Sequence, residues 1–265
     1  MVNYYVLERN FAYSTSNKGT FVQYTTLSVK SHIPNLLTCV NLLCGCLAIM
    51  CALDSDPYQM QMATYLIWSA AVFDFLDGLS ARLLKSYSDL GKQLDSLADM
   101  VSFGVAPGMV LFALIREEAN VGEEWMAYFA LIIPVFSALR LAIFNIDESQ
   151  SDSFRGLPTP ANALLIGSLP LLFARGHDGI ASIIAAPATM VGVGVVLSFL
   201  LVSRVGMFSL KMKSFQWDGN QLVYGFLIVA AVILLLLPYT ALPIIILLYI
   251  VISILRSLFS KRKTT

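Results

Sequence analysis

Apolar stretches of about 17 to 22 residues recur along this 265-residue chain from residue 35 almost to its end, and each can cross a hydrocarbon core as a helix. Within a bilayer the backbone N–H and C=O groups have to be paired inside the chain, so stretches of this length imply helices rather than open sheet or loop. The expected fold class is all-α, a polytopic transmembrane helix bundle of about eight spans. The candidates lie near residues 35–53, 60–83, 95–116, 125–146, 159–175, 181–203, 220–238 and 241–259. Hydrophobic residues make up 57% and charged residues 13%, which excludes an ordinary soluble domain, a disordered chain and a coiled coil. Lys plus Arg and Asp plus Glu both total 17, and no basic stripe with interleaved aromatics appears, so nucleic acid is not an expected partner.

Polar or Gly/Pro-containing breaks such as REEANVGEE and ARGHDG separate the spans. LLLLPYTALP is the weakest break, where a continuous helix kinked around Pro238 and Pro243 is the alternative. Pro34 suits the start of the first helix. Fourteen of the 17 basic residues fall in the two tails and in every second loop, whereas Arg116 and Arg175 lie on the other side and Arg140 inside the fourth span. Cytoplasmic segments collect Lys and Arg, so both termini are expected in the cytosol and the protein in the cytoplasmic membrane. Residues 1–25 read as a polar cytosolic tail and 26–203 as the membrane core. Residues 204–265 read as a cytosolic loop, two additional helices and a basic tail. Cys39, Cys44, Cys46 and Cys51 lack metal-ligand spacing and read as small apolar helix residues; His32 and His177 belong to the interface and the far side.

The informative segment is AVFDFLDGLSARLLKSYSDLGKQLDSLADMVSFG, with Asp74 and Asp77 at the end of the second span and Asp95 and Asp99 at the start of the third. Spacings of three and four put each pair on one helix face, and the short connection lets the two faces meet. Gly91, Asp95, Asp99 and Ser102 form one stripe, while Gly78 and Ala81 leave small surfaces beside the first pair. A buried carboxylate costs about 2.5–3.5 kcal/mol at the membrane centre, so four without cations would cost on the order of 10 kcal/mol before repulsion. Arg82 alone cannot balance four acids. A dense all-oxygen site suits Mg²⁺ or Mn²⁺, and two such ions suit phosphoryl transfer. The competing reading is a solvated loop whose acids pair with Arg82, Lys85 and Lys92.

Asp74, Asp77, Gly78, Ala81, Arg82, Gly91, Asp95 and Asp99 fill all eight positions of a pattern that resembles the signature of the CDP-alcohol phosphotransferase family. That resemblance implies a CDP-activated lipid donor, two divalent ions held by the four aspartates, and Asp99 as the base that activates an acceptor hydroxyl. It implies donor contacts from Gly78, Ala81 and Arg82, and nucleotide contacts from Asn35 and Thr38, with helix capping as the other reading of Asn35. Members are commonly homodimers with six core helices, so the last two spans look like an addition. IPNLLTCVNLLCG, DSLADMVSFGVAPG, ALRLAIFN and FRGLPTPA further resemble the family's phosphatidylserine synthase branch, which implies CDP-diacylglycerol and L-serine as substrates.

A serine carboxylate needs a cationic or backbone-amide partner, and Arg140, inside an apolar span, is a candidate, with an internal ion pair to an aspartate as its alternative. Arg155, next to Gly156 and Pro158 at an expected cytosolic helix start, can bind carboxylate or pyrophosphate, or be solvated. Asn145 can meet the serine amine or cap its helix. Related acceptors, glycerol 3-phosphate or an inositol phosphate, would call for more basic groups than these spans offer. A divalent-cation transporter is the reading from a different class, but it would place its aspartates near the midplane rather than toward one face, and no internal repeat supports it.

Overall fold

The computed structural model describes residues 29–54, 56–146, 154–174, 179–208, 220–237 and 240–261. Nine helices follow one another among these: α1 (Val29–Ala52), α2 (Pro57–Leu84), α3 (Asp89–Glu118), α4 (Glu124–Ile146), α5 (Thr159–Phe173), α6 (Ile180–Ala185), α7 (Pro187–Leu201), α8 (Gln221–Leu236) and α9 (Ala241–Lys261). The first four are long and apolar enough to cross a membrane, whereas α5, α7, α8 and the apolar part of α9 are shorter. The protein is thus an all-helical membrane bundle, with one small exception. Phe154–Arg155 (β1) pairs antiparallel with Gly206–Met207 (β2), setting Phe154 opposite Met207 and Arg155 opposite Gly206. Two residues per strand are too few for alternation to show, so the sequence pattern carries no trace of the ribbon.

One boundary differs from expectation, and the weakest break follows it. Helix α1 begins at Val29 rather than at Pro34, which lies inside it. Thr38 Oγ1 stands 3.1 Å from the Pro34 carbonyl, and Asn35, well within the helix, is not its cap. The weak break near residue 238 separates two helices, α8 and α9, rather than kinking one; Pro238 and Tyr239 lie outside the described residues.

The turn between α2 and α3 does most to place the site. Lys85 closes α2 in a left-handed conformation with φ 50°, and its N–H meets the carbonyls of Ala81 and Arg82. Three residues later Ser88 caps α3, its hydroxyl accepting from the Gly91 N–H at 3.0 Å. So short a connection sends α3 back beside the end of α2. Helix α1 lies against both. At its crossing with α3 a Cβ on Gly45 would come 2.5 Å from Ser102 Oγ and 2.8 Å from Ser102 Cα, so only glycine permits this approach. Behind the crossing, Ile67, Phe103, Leu111, Ile133 and Ile166 are fully buried, while Leu43, Val135, Ile143 and Phe199 point outward, as a lipid-facing surface requires. Of the four cysteines Cys44 is buried and all are free thiols.

Candidate active site

Helix α2 brings Asp74 and Asp77, and α3 brings Asp95 and Asp99, to the end of the bundle that the α2–α3 turn closes. One carboxylate oxygen from each of Asp74, Asp95 and Asp99 lies within 4.8 Å of the other two, and all three residues are half-buried. Asp77 is more deeply buried and stands beside this trio, its Oδ2 accepting a hydrogen bond from Thr38 Oγ1 at 2.6 Å. Asp99 Oδ1 accepts from Asn41 Nδ2 at 3.3 Å. The Asn41 carbonyl accepts in turn from Ser102 Oγ at 3.0 Å, so the α1–α3 crossing that Gly45 permits also holds the asparagine against its aspartate.

Neither nearby arginine is spent on the carboxylates. Arg82 is exposed and donates its Nε to the Gly78 carbonyl of its own helix at 2.9 Å. Arg140 is buried, its guanidinium carbon 5.4 Å from the centre of the Phe144 ring and its Nε without a hydrogen-bond partner. Three carboxylates converging within 4.8 Å repel one another strongly in a low dielectric, and an all-oxygen donor set of this kind fits a hard divalent cation. The donor chemistry therefore agrees with Mg²⁺ or Mn²⁺.

The remaining predicted residues fall around this centre in unequal ways. Gly78 and Ala81 are half-buried on α2 beside the aspartates. Asn35 reaches the start of α3, where a Cβ on Gly91 would lie 3.1 Å from its Oδ1. Asn145, at the end of α4, donates Nδ2 to Ser96 Oγ at 2.8 Å, which ties that helix end to the residue after Asp95. Arg155 is exposed on β1, in the ribbon that precedes α5, rather than at a helix start. Immediately after Asp99 the helix widens into a π-helical segment, Met100–Val105, a local unwinding that frequently accompanies functional sites.

Two residues of this constellation escaped sequence reasoning. Asn41 continues the series Asn35, Thr38, Asn41, three polar residues at steps of three in the otherwise apolar part of α1 after His32, and that period was the available signal. Ser96 offered none beyond its adjacency to Asp95. A cleft lined by Asp54, Asp56, Arg116 and Glu117 lies at the opposite end, about 25 Å along α2 from Asp74.

Residues 31–200 match the family model for CDP-alcohol phosphatidyltransferase. A CDP-diacylglycerol–serine O-phosphatidyltransferase of Helicobacter pylori strain J99 is 34% identical over 230 residues, covering 85% of this chain and 91% of the relative. Proteins of the same description from Mycobacterium leprae, 34% identical over 82% of this chain and 72% of theirs, and Bacillus subtilis, 33% identical over 66% and 89%, are also similar.

Proposed function

We propose that this chain, which belongs to the CDP-alcohol phosphatidyltransferase family, transfers the phosphatidyl group of CDP-diacylglycerol to L-serine, giving phosphatidylserine and CMP. The convergence of Asp74, Asp95 and Asp99, with Asp77 held beside them, is the observation that carries this reading. The acceptor is inferred from the relatives, whose printed description names serine.

In this reaction the serine hydroxyl oxygen attacks the diacylglycerol-linked phosphorus, the bond from that phosphorus to the CMP oxygen breaks, and the electron pair leaves with CMP. Asp99 takes the hydroxyl proton. Its Oδ1 is engaged by Asn41, which orients the carboxylate and leaves Oδ2 as the basic atom. Asp74, Asp77 and Asp95, with Asp99, are the residues that would hold two divalent ions. Bound there, Mg²⁺ or Mn²⁺ would neutralise negative charge on the pyrophosphate and on the leaving CMP. Asn35 and Thr38 on α1, with Gly78, Ala81 and Arg82 on α2, bound the donor nucleotide. Arg140 or Arg155 holds the serine carboxylate, and Asn145, anchored through Nδ2 to Ser96, presents Oδ1 to the serine ammonium.

The same reading places eight spans in the cytoplasmic membrane, with both termini and the site on the cytosolic side and the chain as a homodimer. Single cysteines at Lys18 and Lys263, in a background lacking the native four, should both be shielded from an impermeant thiol reagent in intact cells. Labelling of one and not the other would require an odd number of spans. The deciding experiment for function is an acceptor panel with purified protein, CDP-diacylglycerol and Mg²⁺ or Mn²⁺. CMP release is expected with L-serine and little with glycerol 3-phosphate or inositol phosphate; the reverse pattern overturns the assignment.

A further inference from the structure

The last helix contacts the β-ribbon through side chains that no donor or metal role absorbs. Ser257 Oγ accepts from the Gly206 N–H at 3.3 Å, and Ser253 Oγ from the Phe208 N–H at 3.5 Å. Tyr249 donates its hydroxyl to the Phe208 carbonyl at 3.1 Å. These three residues are spaced by four, so they form one stripe along α9 and meet successive backbone groups of β2 and the residue after it. Phe208 is buried between Tyr249 and Phe226, with ring centres 4.8 and 5.5 Å away, which closes the contact with an aromatic cluster from both C-terminal helices.

The opposite strand is pinned as firmly. Gly206 lies opposite Arg155 in the ribbon, and the next residue, Gly156, donates its N–H to the Val205 carbonyl at 2.9 Å. Gly156 has φ 76°, and a Cβ on it would run into the backbone carbonyls of Leu201 and Ser203, so no other residue fits that turn. Leu157 is fully buried and its N–H donates to the Leu200 carbonyl at 3.0 Å. Arg155 is therefore an exposed guanidinium on a backbone held from both sides: by the end of α7 through Gly156 and Leu157, and by α9 through β2. A solvated surface arginine needs no such support.

We infer that α9 is a latch that positions the β1–β2 ribbon, and through it Arg155, for binding of the acceptor carboxylate, so that Tyr249, Ser253 and Ser257 are positioning residues for acceptor affinity. The inference rests on the proposed reading of Arg155 as an acceptor-binding group. It gives the two helices beyond the family-matched segment, which ends at residue 200, a task within the same reaction. The latch leaves the donor and metal residues untouched, so loosening it changes the KM for serine and spares the other constants.

The test compares the full-length double variant Ser253→Ala/Ser257→Ala, the milder Tyr249→Phe, which keeps the ring cluster and loses one hydrogen bond, and Arg155→Ala. The double variant should raise the serine KM about three- to tenfold, with kcat and the KM for CDP-diacylglycerol within twofold of the parent. Amide hydrogen exchange at Gly206 and Phe208 should quicken in step, and Ser253→Thr/Ser257→Thr should restore both readouts. Combined with Arg155→Ala, the latch substitutions should add nothing further, because both act on one contact. A serine KM unchanged by the double variant and by Tyr249→Phe, while Arg155→Ala raises it, overturns the latch and keeps the reading of Arg155. Arg155→Ala without effect on the serine KM overturns that reading and the latch with it. Equal losses for both substrates, without recovery by the threonine variants, would make α9 a general stabiliser and also overturn the proposal.

Discussion

The four aspartates and the two candidate acceptor arginines are built in opposite ways. Asp77 and Asp99 are each gripped from α1, by Thr38 and Asn41, and the two acidic helices are joined by a turn that both a left-handed residue and a serine cap define. Arg140 is buried with its Nε unpaired, and Arg155 is exposed on a short ribbon. Carboxylates crowded within 4.8 Å repel and would splay apart unless their helices were locked, so the acidic centre needs a frame whether or not substrate is present. A cation meant for an anionic substrate group is better left uncommitted, since an internal partner would have to be displaced on binding. What distinguishes the two regions is how far each contact is satisfied within the chain.

The sharpest way to break this comparison is at Asp99. As the proposed base it should be the most costly single change: Asp99→Asn is expected to lower kcat about 10²- to 10⁴-fold, with binding of CDP-diacylglycerol in the presence of metal retained. Asp95→Asn should impair metal-dependent nucleotide binding as well, and chelation should abolish turnover of the parent enzyme until Mg²⁺ or Mn²⁺ is restored. Turnover near the parent value in Asp99→Asn would remove the base from that position.

Next in size comes the uncommitted side. If Arg140 holds the serine carboxylate, Arg140→Ala loses a charge-assisted hydrogen bond of about 1.5–3 kcal/mol, roughly a ten- to hundredfold fall in kcat/KM for serine. Arg140→Lys should recover only part, because a point charge does not reproduce the guanidinium fork. Steady-state kinetics with serine varied at saturating donor measure this. No change in Arg140→Ala would leave the carboxylate to Arg155, to metal or to backbone amides.

A smaller effect is expected where the frame itself is loosened. Thr38→Val keeps the volume of the side chain but removes the 2.6 Å hydrogen bond to Asp77. The loss should be about 1.5 kcal/mol, or roughly tenfold in donor and metal affinity, with the serine KM nearly unmoved. Titration of CMP release against metal concentration checks it. A shift confined to serine would mean that Asp77 belongs to the acceptor side.

The acidic half was legible in the sequence for a physical reason: charges inside apolar spans are conspicuous, and helical spacing says which of them share a face. Asp74, Asp95 and Asp99 meet as their spacing implied, whereas the hydrogen bond from Thr38 to Asp77 is a finding of the structure, since the family resemblance marks Thr38 only as a nucleotide contact. The frame was less legible. Asn41 is the third of three polar residues at steps of three on α1, but what makes it matter is the Gly45–Ser102 crossing, a tertiary contact that no periodicity encodes. The ribbon carrying Arg155 left no pattern because its partner strand lies some fifty residues further on, beyond three helices. Pro34 misled for a local reason: proline is common at helix starts, yet α1 continues through it, with the Thr38 hydroxyl close to the Pro34 carbonyl.

The least expected contact, between Asn145 and Ser96, allows the finest cut between the two regions. Ser96 follows Asp95 on α3, and its hydroxyl accepts from Asn145 Nδ2 at 2.8 Å while standing 3.1 Å from the Lys92 carbonyl. In the proposed reaction this anchors the amide so that Oδ1 faces the serine ammonium. Ser96→Ala removes the anchor without touching a carboxylate. A neutral, partly buried hydrogen bond contributes about 0.5–1 kcal/mol, so the serine KM should rise roughly two- to fivefold. Metal affinity and the KM for CDP-diacylglycerol should stay at parent values, since Asp95 keeps its place on the helix. Asn145→Ala should raise the serine KM at least as much, and the two substitutions together should cost no more than Asn145→Ala alone. If Ser96→Ala instead weakens metal binding, the serine hydroxyl supports the acidic centre through its neighbour Asp95, and the division between a framed donor side and an uncommitted acceptor side does not hold at α3.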